Sequence, residues 1–263
     1  MGRSHALSGW CAGLAVAPLV GLTTVAEVVP FAAATAGYAL LPDLDHPGAS
    51  ASRLLGPVTR LVSGVVRAFS GVLYNLTKGP RDEEGTGKHR HATHTLAAAV
   101  LLGVLAASLG DRGKWAVLAV AVTGLVLAAD ALGDWIVLAV LAAAGWSVAG
   151  VGPGSAAADA VQAGLSQIGG WIGAAVAVGM FVHCLGDSLT RSGCPWLWPL
   201  PIRGETWYEL RLPKPLRFST GHWFEHAIIV PALTIGGVLL LPGALPAVER
   251  LFDATTVWLA GQS

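Results

Sequence analysis

The stretch His183-Cys-Leu-Gly-Asp187-Ser-Leu-Thr190 closes a long apolar run, Ile168–Leu185. His183 and Asp187 are four positions apart, so both side chains fall on one face of a helix, one turn from each other. An imidazole nitrogen and a carboxylate oxygen placed in this way can bind the same metal ion. The alternative is an ordinary helix C-terminus, in which the histidine interacts with the helix dipole and the aspartate caps the next turn.

The amino-acid composition indicates an integral membrane protein. Of the 263 residues, 54% are hydrophobic and only 12% are charged, whereas a soluble domain has roughly 25% charged residues. A lipid bilayer removes the need for a charged surface and so explains the deficit. Sixteen basic and sixteen acidic residues cancel, so no excess charge indicates a nucleic-acid partner. The partner that the composition predicts is the bilayer.

Apolar runs of helical length follow one another along the chain, without an internal repeat. They are Ala6–Leu22, Val28–Leu41, Thr95–Leu109, Trp115–Ala129, Trp135–Val148, Ile168–Leu185 and Trp223–Leu241, with a small-residue loop around Gly150–Ser166. We predict one all-α domain over residues 1–263, a polytopic membrane bundle. The 14 residues of Val28–Leu41 are few for a span, which needs about 20, so this run is also compatible with a re-entrant or protein-packed helix.

The segment Leu61–Leu76 differs from the other runs because its apolar residues follow helical spacing. One stripe consists of Val62, Val65, Val66, Phe69, Val72, Leu73 and Leu76, and the opposite stripe of Arg60, Ser63, Arg67, Ser70 and Tyr74. This pattern predicts an amphipathic helix, which either lies in the membrane interface or packs on the protein's own surface.

Polar residues segregate if the helices alternate across the membrane. All eight histidines then fall on one face, together with Asp43, Asp45, Asp187 and Glu225. The economical explanation is a metal site with one or two ions, built at the ends of several helices. Thirteen of the sixteen basic residues fall on the same face, so the positive-inside rule predicts that it is cytoplasmic.

Two further segments carry closely spaced candidate ligands. Asp43-Leu-Asp45-His46 lies between two prolines, which stiffen the backbone and reduce the entropy lost on ordering ligands; a capped turn is the alternative. His89-Arg-His91-Ala-Thr-His94 precedes an apolar run, and its alternative is an exposed basic loop.

The segment His222-Trp-Phe-Glu225-His226 matches the H-x-x-E-H pattern of a class of zinc proteases. In that pattern two ligands four positions apart flank a glutamate base. Five-residue patterns recur by chance, and we do not favour a protease.

Three segments together resemble those of the YdjM family, bacterial inner-membrane proteins described as predicted metal-dependent hydrolases. They are Leu40-Leu-Pro-Asp43-Leu-Asp45-His46-Pro47, His89-Arg-x-x-Thr-His94-Thr-Leu96 and His183-x-x-x-Asp187-x-x-Thr190-x-x-Gly193-x-Pro195. Their order and spacing fit, and the resemblance covers most of the chain. The family is regarded as a distant relative of zinc-dependent phospholipase C and related zinc nucleases, all-helical enzymes whose metal ligands are clustered histidines and aspartates.

The resemblance implies a set of site residues. The metal ligands would be His5, Asp43, His94, His183 and Asp187, with His46 and His89 as further candidates. Asp45 and Glu225 would act as general base or orient a ligand histidine. His91 stands where the family has glycine, and His222 and His226 match no family position, so their roles stay open.

The composition predicts a multi-pass membrane protein, and the resemblance implies one of the bacterial inner membrane that hydrolyses a phosphoester or phosphodiester, including one carried by a lipid. Mixed nitrogen and oxygen ligands favour zinc, and manganese or iron also fit. Two alternatives remain. A metal-ion transporter would place its ligands near the bilayer midplane, and a structural membrane protein would use the metal only as a staple.

Overall fold

The computed structural model describes residues 2–148 and 155–260, and within these ranges the chain forms helices and no β-strand. The helices are α1 (Gly2–Val16), α2 (Val25–Tyr38), α3 (Pro57–Thr77), α4 (Leu96–Gly110), α5 (Lys114–Leu132), α6 (Trp135–Val148), α7 (Ser155–Ser188), α8 (Val230–Leu239) and α9 (Ala244–Ala260). Short 3-10 turns cover Pro42–Asp45 and Ala92–His94, and a π-helical turn, Glu225–Ile229, precedes α8. The predicted all-α fold is therefore confirmed.

One predicted loop is largely wrong, and one helix was not predicted. Helix α7 begins at Ser155, so most of the loop predicted around Gly150–Ser166 is helical, while its residues before 155 lie outside the described ranges. This segment is rich in alanine and other good helix formers, a signal that the search for apolar runs does not use. Helix α9 follows Leu241, where the last predicted helix ends. It mixes charged with apolar residues, so it forms no apolar run and was not predicted.

Helix α2 lies at the centre of the bundle. Residues Phe31–Tyr38 are all buried, and α2 packs against α1, α5, α6 and α7. Of the alternatives for Val28–Leu41, the protein-packed helix agrees with this burial. The segment Val25–Asp45, which adds the following 3-10 turn, is also long enough to cross a membrane.

Glycines let the helix backbones approach closely, as the G-x-x-x-G spacing of Gly169 and Gly173 predicts. A Cβ added to Gly173 would lie 2.6 Å from the carbonyl oxygen of Gly103 on α4. One added to Gly169 would lie 3.4 Å from the carbonyl oxygen of Gly110. Helices α4 and α7 are therefore in direct backbone contact along their crossing.

Within the described ranges, three helical segments are long and apolar enough to cross a membrane: Val25–Asp45, Lys114–Leu132 and Asp159–Ser188. A fourth span results if the bent pair Glu225–Leu239 and Ala244–Arg250 is counted as one. Helices α4 and α6 are apolar but shorter. These lengths agree with the prediction of a polytopic membrane bundle.

Helices α2 and α7 run parallel, so their C-terminal ends meet. The Gln167 side chain, in the first half of α7, donates to Glu27 in the first turn of α2. Further along both helices, His183 Nδ1 lies 2.7 Å from the Ala39 carbonyl oxygen. Helix α4 begins at the same end, because the Cys194 thiol, just after α7, donates to the His94 carbonyl oxygen at 3.0 Å. This end of the bundle therefore collects the loops that carry the candidate ligands.

Candidate metal centre

Five side chains from four parts of the chain converge at this end of the bundle. They are His5 in the first turn of α1, Asp43 in the 3-10 turn after α2, His94 just before α4, and His183 and Asp187 in the last turns of α7. His183 Nε2 lies 3.7 Å from Asp187 Oδ2 and 3.8 Å from Asp43 Oδ1. His94 Nε2 lies 3.7 Å and 4.0 Å from the same two oxygens.

Hydrogen bonds decide which imidazole nitrogens are free to bind a metal. The Ala39 carbonyl can only accept, so His183 Nδ1 carries the proton and donates to it. The Thr93 hydroxyl donates to Asp45 Oδ2 at 2.8 Å, so it accepts from His94 Nδ1 at 2.9 Å. In neutral His94 and His183 each Nε2 therefore carries a lone pair.

These two Nε2 atoms face each other at 3.2 Å. Two lone pairs at that distance repel unless a cation lies between them, and ring nitrogens held by a second hydrogen bond are typical of metal-binding histidines. Burial lowers the pKa of the His94 imidazole, which favours the neutral form that binds metal. The pair is thus oriented as metal ligands are.

Asp187 and His5 supply polar atoms that lack hydrogen bonds. Both Asp187 oxygens and His5 Nε2 are buried, and they have no hydrogen-bond partner among the described residues. His5 Nε2 lies 3.5 Å from Asp187 Oδ1, and its ring stacks on His183 at 4.0 Å between centroids. A buried carboxylate is costly unless it is paired or coordinates a metal, and the nearby Arg90 guanidinium, 3.4 Å from Oδ1, offsets only part of that cost.

The donor distances fit a divalent ion. Donors bound to one tetrahedral zinc ion at about 2.0–2.2 Å lie roughly 3.3–3.6 Å apart. The Nε2 atoms of His94 and His183 lie 3.2 Å from each other and up to 4.0 Å from the carboxylate oxygens, and the donor atoms within each group lie within 4.8 Å of one another. The described residues form two donor groups at this position, His5–Asp43–His183 and His94–His183–Asp187, which share His183. Two imidazoles with carboxylates suit zinc, and also manganese or iron.

Asp45 and His89 lie on the other side of His94. Asp45 Oδ1 is 2.6 Å from His89 Nδ1, and Oδ2 accepts from the Arg90 backbone N–H at 3.1 Å as well as from Thr93. Asp45, His89 and His94 are close enough to form a third donor group, but an ion there would displace these hydrogen bonds. The geometry favours Asp45 as the residue that orients the loop 89–94.

A cavity of about 300 Å³ opens beside the centre and is lined in part by Asp43, His46, His89 and Arg90. Asp43 is the donor that reaches it: its side chain is 20% exposed, whereas those of His94, His183 and Asp187 are 0% exposed. His46 is exposed, accepts from the Gly48 N–H at 3.1 Å and contacts the His89 ring. His46 belongs to no donor group of the described residues, and its place is in the lining of the cavity.

The remaining polar candidates lie apart from the donors. Glu225 accepts from the Ser4 hydroxyl at 2.6 Å and from the Gly221 N–H at 2.7 Å, so it fixes the π-helical turn to the start of α1, next to His5. His91 Nδ1 donates to the His89 carbonyl oxygen. His222 and His226 of the protease-like pattern are exposed, and neither is in a donor group of the described residues.

The sequence reasoning did not assign roles to two residues of the centre. Arg90 lines the cavity and approaches Asp187, and Thr93 connects His94 to Asp45. Both stand in the segment His89-Arg-x-x-Thr-His94 that carries the family resemblance. The signal was therefore present, but only the fold shows what these side chains contact.

Comparison with known proteins bears on the whole chain. The model of the family described as YdjM inner membrane protein matches residues 1–248. Neither curated proteins nor solved structures give a match to this chain. The likeness to zinc-dependent phospholipase C stays a prediction.

Proposed function

The chain belongs to the YdjM inner membrane protein family, and from this premise we propose that it is a membrane-bound, metal-dependent hydrolase. Its substrate would be a phosphoester or phosphodiester, including one carried by a membrane lipid. The observation that carries the proposal is the pair of facing Nε2 atoms of His94 and His183, 3.2 Å apart, beside the Asp187 carboxylate that lacks hydrogen bonds.

The ligand set would be His94, His183, Asp187, Asp43 and His5. A bound divalent ion would supply Lewis-acid stabilisation of a phosphoryl group and lower the pKa of water toward neutrality. Asp43 joins the buried donors to the cavity, so a substrate in the cavity would reach the ion from this side. This partial exposure supports a catalytic centre over a metal staple, which needs no open position.

Arg90 would bind the substrate. Its side chain lines the cavity, and a guanidinium donates two parallel hydrogen bonds to phosphate oxygens. The residue has a positive φ of 59°, a backbone conformation that is uncommon for a non-glycine residue and occurs at functional sites. Arg90 would therefore stabilise negative charge that develops on the phosphoryl oxygens.

Asp45 would orient His89 rather than act as the base itself. Because the carboxylate only accepts, His89 Nδ1 donates to it, which leaves Nε2 as an acceptor on a side chain that also lines the cavity. A histidine held in this tautomer by a carboxylate is a common arrangement for proton transfer. His89 would then accept a proton from the attacking water.

The bundle end that carries the centre would face the cytoplasm. The support is the distribution of basic residues predicted for helices that alternate across the membrane, thirteen on the face of the metal site against three on the other. The position of the donors at helix ends argues against a transporter, which would bind its ion near the middle of the membrane.

The test is turnover by the purified full-length protein on a panel of phosphodiester and phospholipid substrates, with and without chelator, and after return of zinc, manganese or iron. Asp187→Asn should lose bound metal and turnover together. Arg90→Gln should keep metal and lose turnover by about 10²–10³-fold. Asp45→Asn should lower turnover by roughly 10²–10⁴-fold while it keeps most of the metal.

The matched control is Asp111→Asn, an exposed acid at the opposite end of α4 from His94. It should keep both metal and turnover. A wild-type protein that binds metal and hydrolyses nothing in the panel would refute the hydrolase and support the staple.

A further inference from the structure

Helix α3 presents its apolar side outward. Six large apolar side chains are 58–79% exposed: Val58, Leu61, Val65, Phe69, Val72 and Leu76. They are spaced three or four residues apart and so form one continuous stripe along the helix. The stripe is therefore not packed against the described part of the protein.

The polar side of α3 is the buried side. Ser70 Oγ donates to the Gly87 carbonyl oxygen at 2.6 Å and accepts from the Ala92 N–H at 3.2 Å. The Tyr74 hydroxyl donates to the Glu83 carbonyl oxygen. These bonds attach α3 to the loop 83–92, which leads into the candidate metal centre. The outer face of α3 is therefore its apolar face.

The charges in the stretch 46–81, which contains α3, all have one sign, whereas the acids Asp82, Glu83 and Glu84 follow it on the side of the helix that Tyr74 faces. Between Asp45 and Asp82 the chain has no acidic residue, and it has the basic residues Arg53, Arg60, Arg67, Lys78 and Arg81. Arg53 and Arg60 are exposed. A basic segment next to an apolar stripe is complementary to an anionic lipid surface.

Helix α3 does not have the composition of a membrane span. It holds 21 residues, but Arg60 and Arg67 lie within it, and it is not among the segments apolar enough to cross a membrane. Its exposed stripe runs from one end of the helix to the other, so every part of the stripe requires the same apolar surroundings. A helix that lies parallel to the bilayer surface meets this requirement.

We propose that α3 lies in the headgroup layer of an anionic lipid bilayer, with its stripe in the acyl boundary and Arg53 and Arg60 at the lipid phosphates. The proposal concerns a surface separate from the metal centre and holds whether or not the protein is a hydrolase. The contact also gives the loop 83–92 a defined position relative to the membrane, because Ser70 and Tyr74 hold that loop.

The first test measures depth in the full-length protein, reconstituted into phosphatidylcholine vesicles that contain phosphatidylglycerol. Nitroxide labels at Val58→Cys, Val65→Cys and Leu76→Cys are compared for relaxation by oxygen and by a water-soluble nickel chelate. All three should be oxygen-accessible, shielded from nickel and at the same shallow depth. A label at Asn75→Cys, which is exposed but off the stripe, should be more accessible to nickel. The unsubstituted protein is the labelling blank.

Three other outcomes would overturn the proposal. Greater depth at Val65 than at Val58 and Leu76 would mean that α3 spans the membrane. Nickel access at all three positions would place the stripe in water. Shielding from both reagents, with dipolar broadening between labels, would show that a second copy of the chain covers it.

The second test concerns lipid charge. The double variant Arg53→Gln/Arg60→Gln should retain less phosphatidylglycerol relative to phosphatidylcholine on purification, by about fivefold for each charge removed. Arg112→Gln is the control, an exposed arginine in the turn between α4 and α5, and should retain the wild-type ratio. Equal retention by all three proteins would refute the role of the arginines.

Discussion

Removal of metal should lower the thermal stability of this protein, and Asp187→Asn should abolish that dependence. The substitution would keep the shape of the side chain but remove the negative charge beside the facing Nε2 atoms of His94 and His183. Wild type should therefore melt at a higher temperature with zinc than with chelator. The variant should melt at nearly the same temperature in both.

The size of the effect follows from linkage and from the burial of Asp187. A ligand at 100 times its dissociation constant stabilises the folded state by about 2.7 kcal/mol, which corresponds to roughly 5–11 °C in Tm for a chain of this length. In chelator, wild type keeps a buried carboxylate without hydrogen bonds among the described residues, a cost of about 1–3 kcal/mol. A buried amide at this position would carry a similar cost, so the variant should be close to wild type in chelator and the less stable protein with metal.

The assay is a melting curve of the purified proteins in detergent, with chelator or with added zinc, manganese or iron, alongside metal content by elemental analysis. Asp111→Asn, remote from the centre, should reproduce the wild-type shift. The reasoning fails if Asp187→Asn keeps the full metal-dependent shift. It also fails if none of the three metals shifts wild type.

Two further predictions concern packing and topology. Gly173→Ala should be about 1–3 kcal/mol less stable than Gly170→Ala in melting experiments. The new Cβ at position 173 would lie 2.6 Å from the Gly103 carbonyl oxygen, whereas at position 170 no described atom lies within 4 Å of it. Equal stability of the two variants would show that α4 and α7 separate freely. The loops that contain Ser50 and Ser219 should face the cytoplasm. Cysteines placed at these two positions should therefore not be labelled by a membrane-impermeant thiol reagent in intact cells. Labelling of either cysteine would reverse the proposed orientation.

Some residues of the centre could be assigned from the sequence because covalent geometry relates them. His183 and Asp187 are one helical turn apart, so any helix over this segment places them on one face. The roles of Asp43 and Asp45 could not be separated in this way. Only the contacts across elements show that Asp43 faces the imidazoles while Asp45 is held by His89, Arg90 and Thr93.

By itself the sequence determined the all-α membrane character, the amphipathic pattern of α3 and most helix positions, because periodicity and composition are local properties. The tertiary structure decided which side of α3 faces outward and which nitrogen of His94 is free. It also decided that Glu225 bonds to Ser4 beside the donors rather than among them. These features depend on packing between segments far apart in the chain, where close contacts such as Gly173 with Gly103 set the distances.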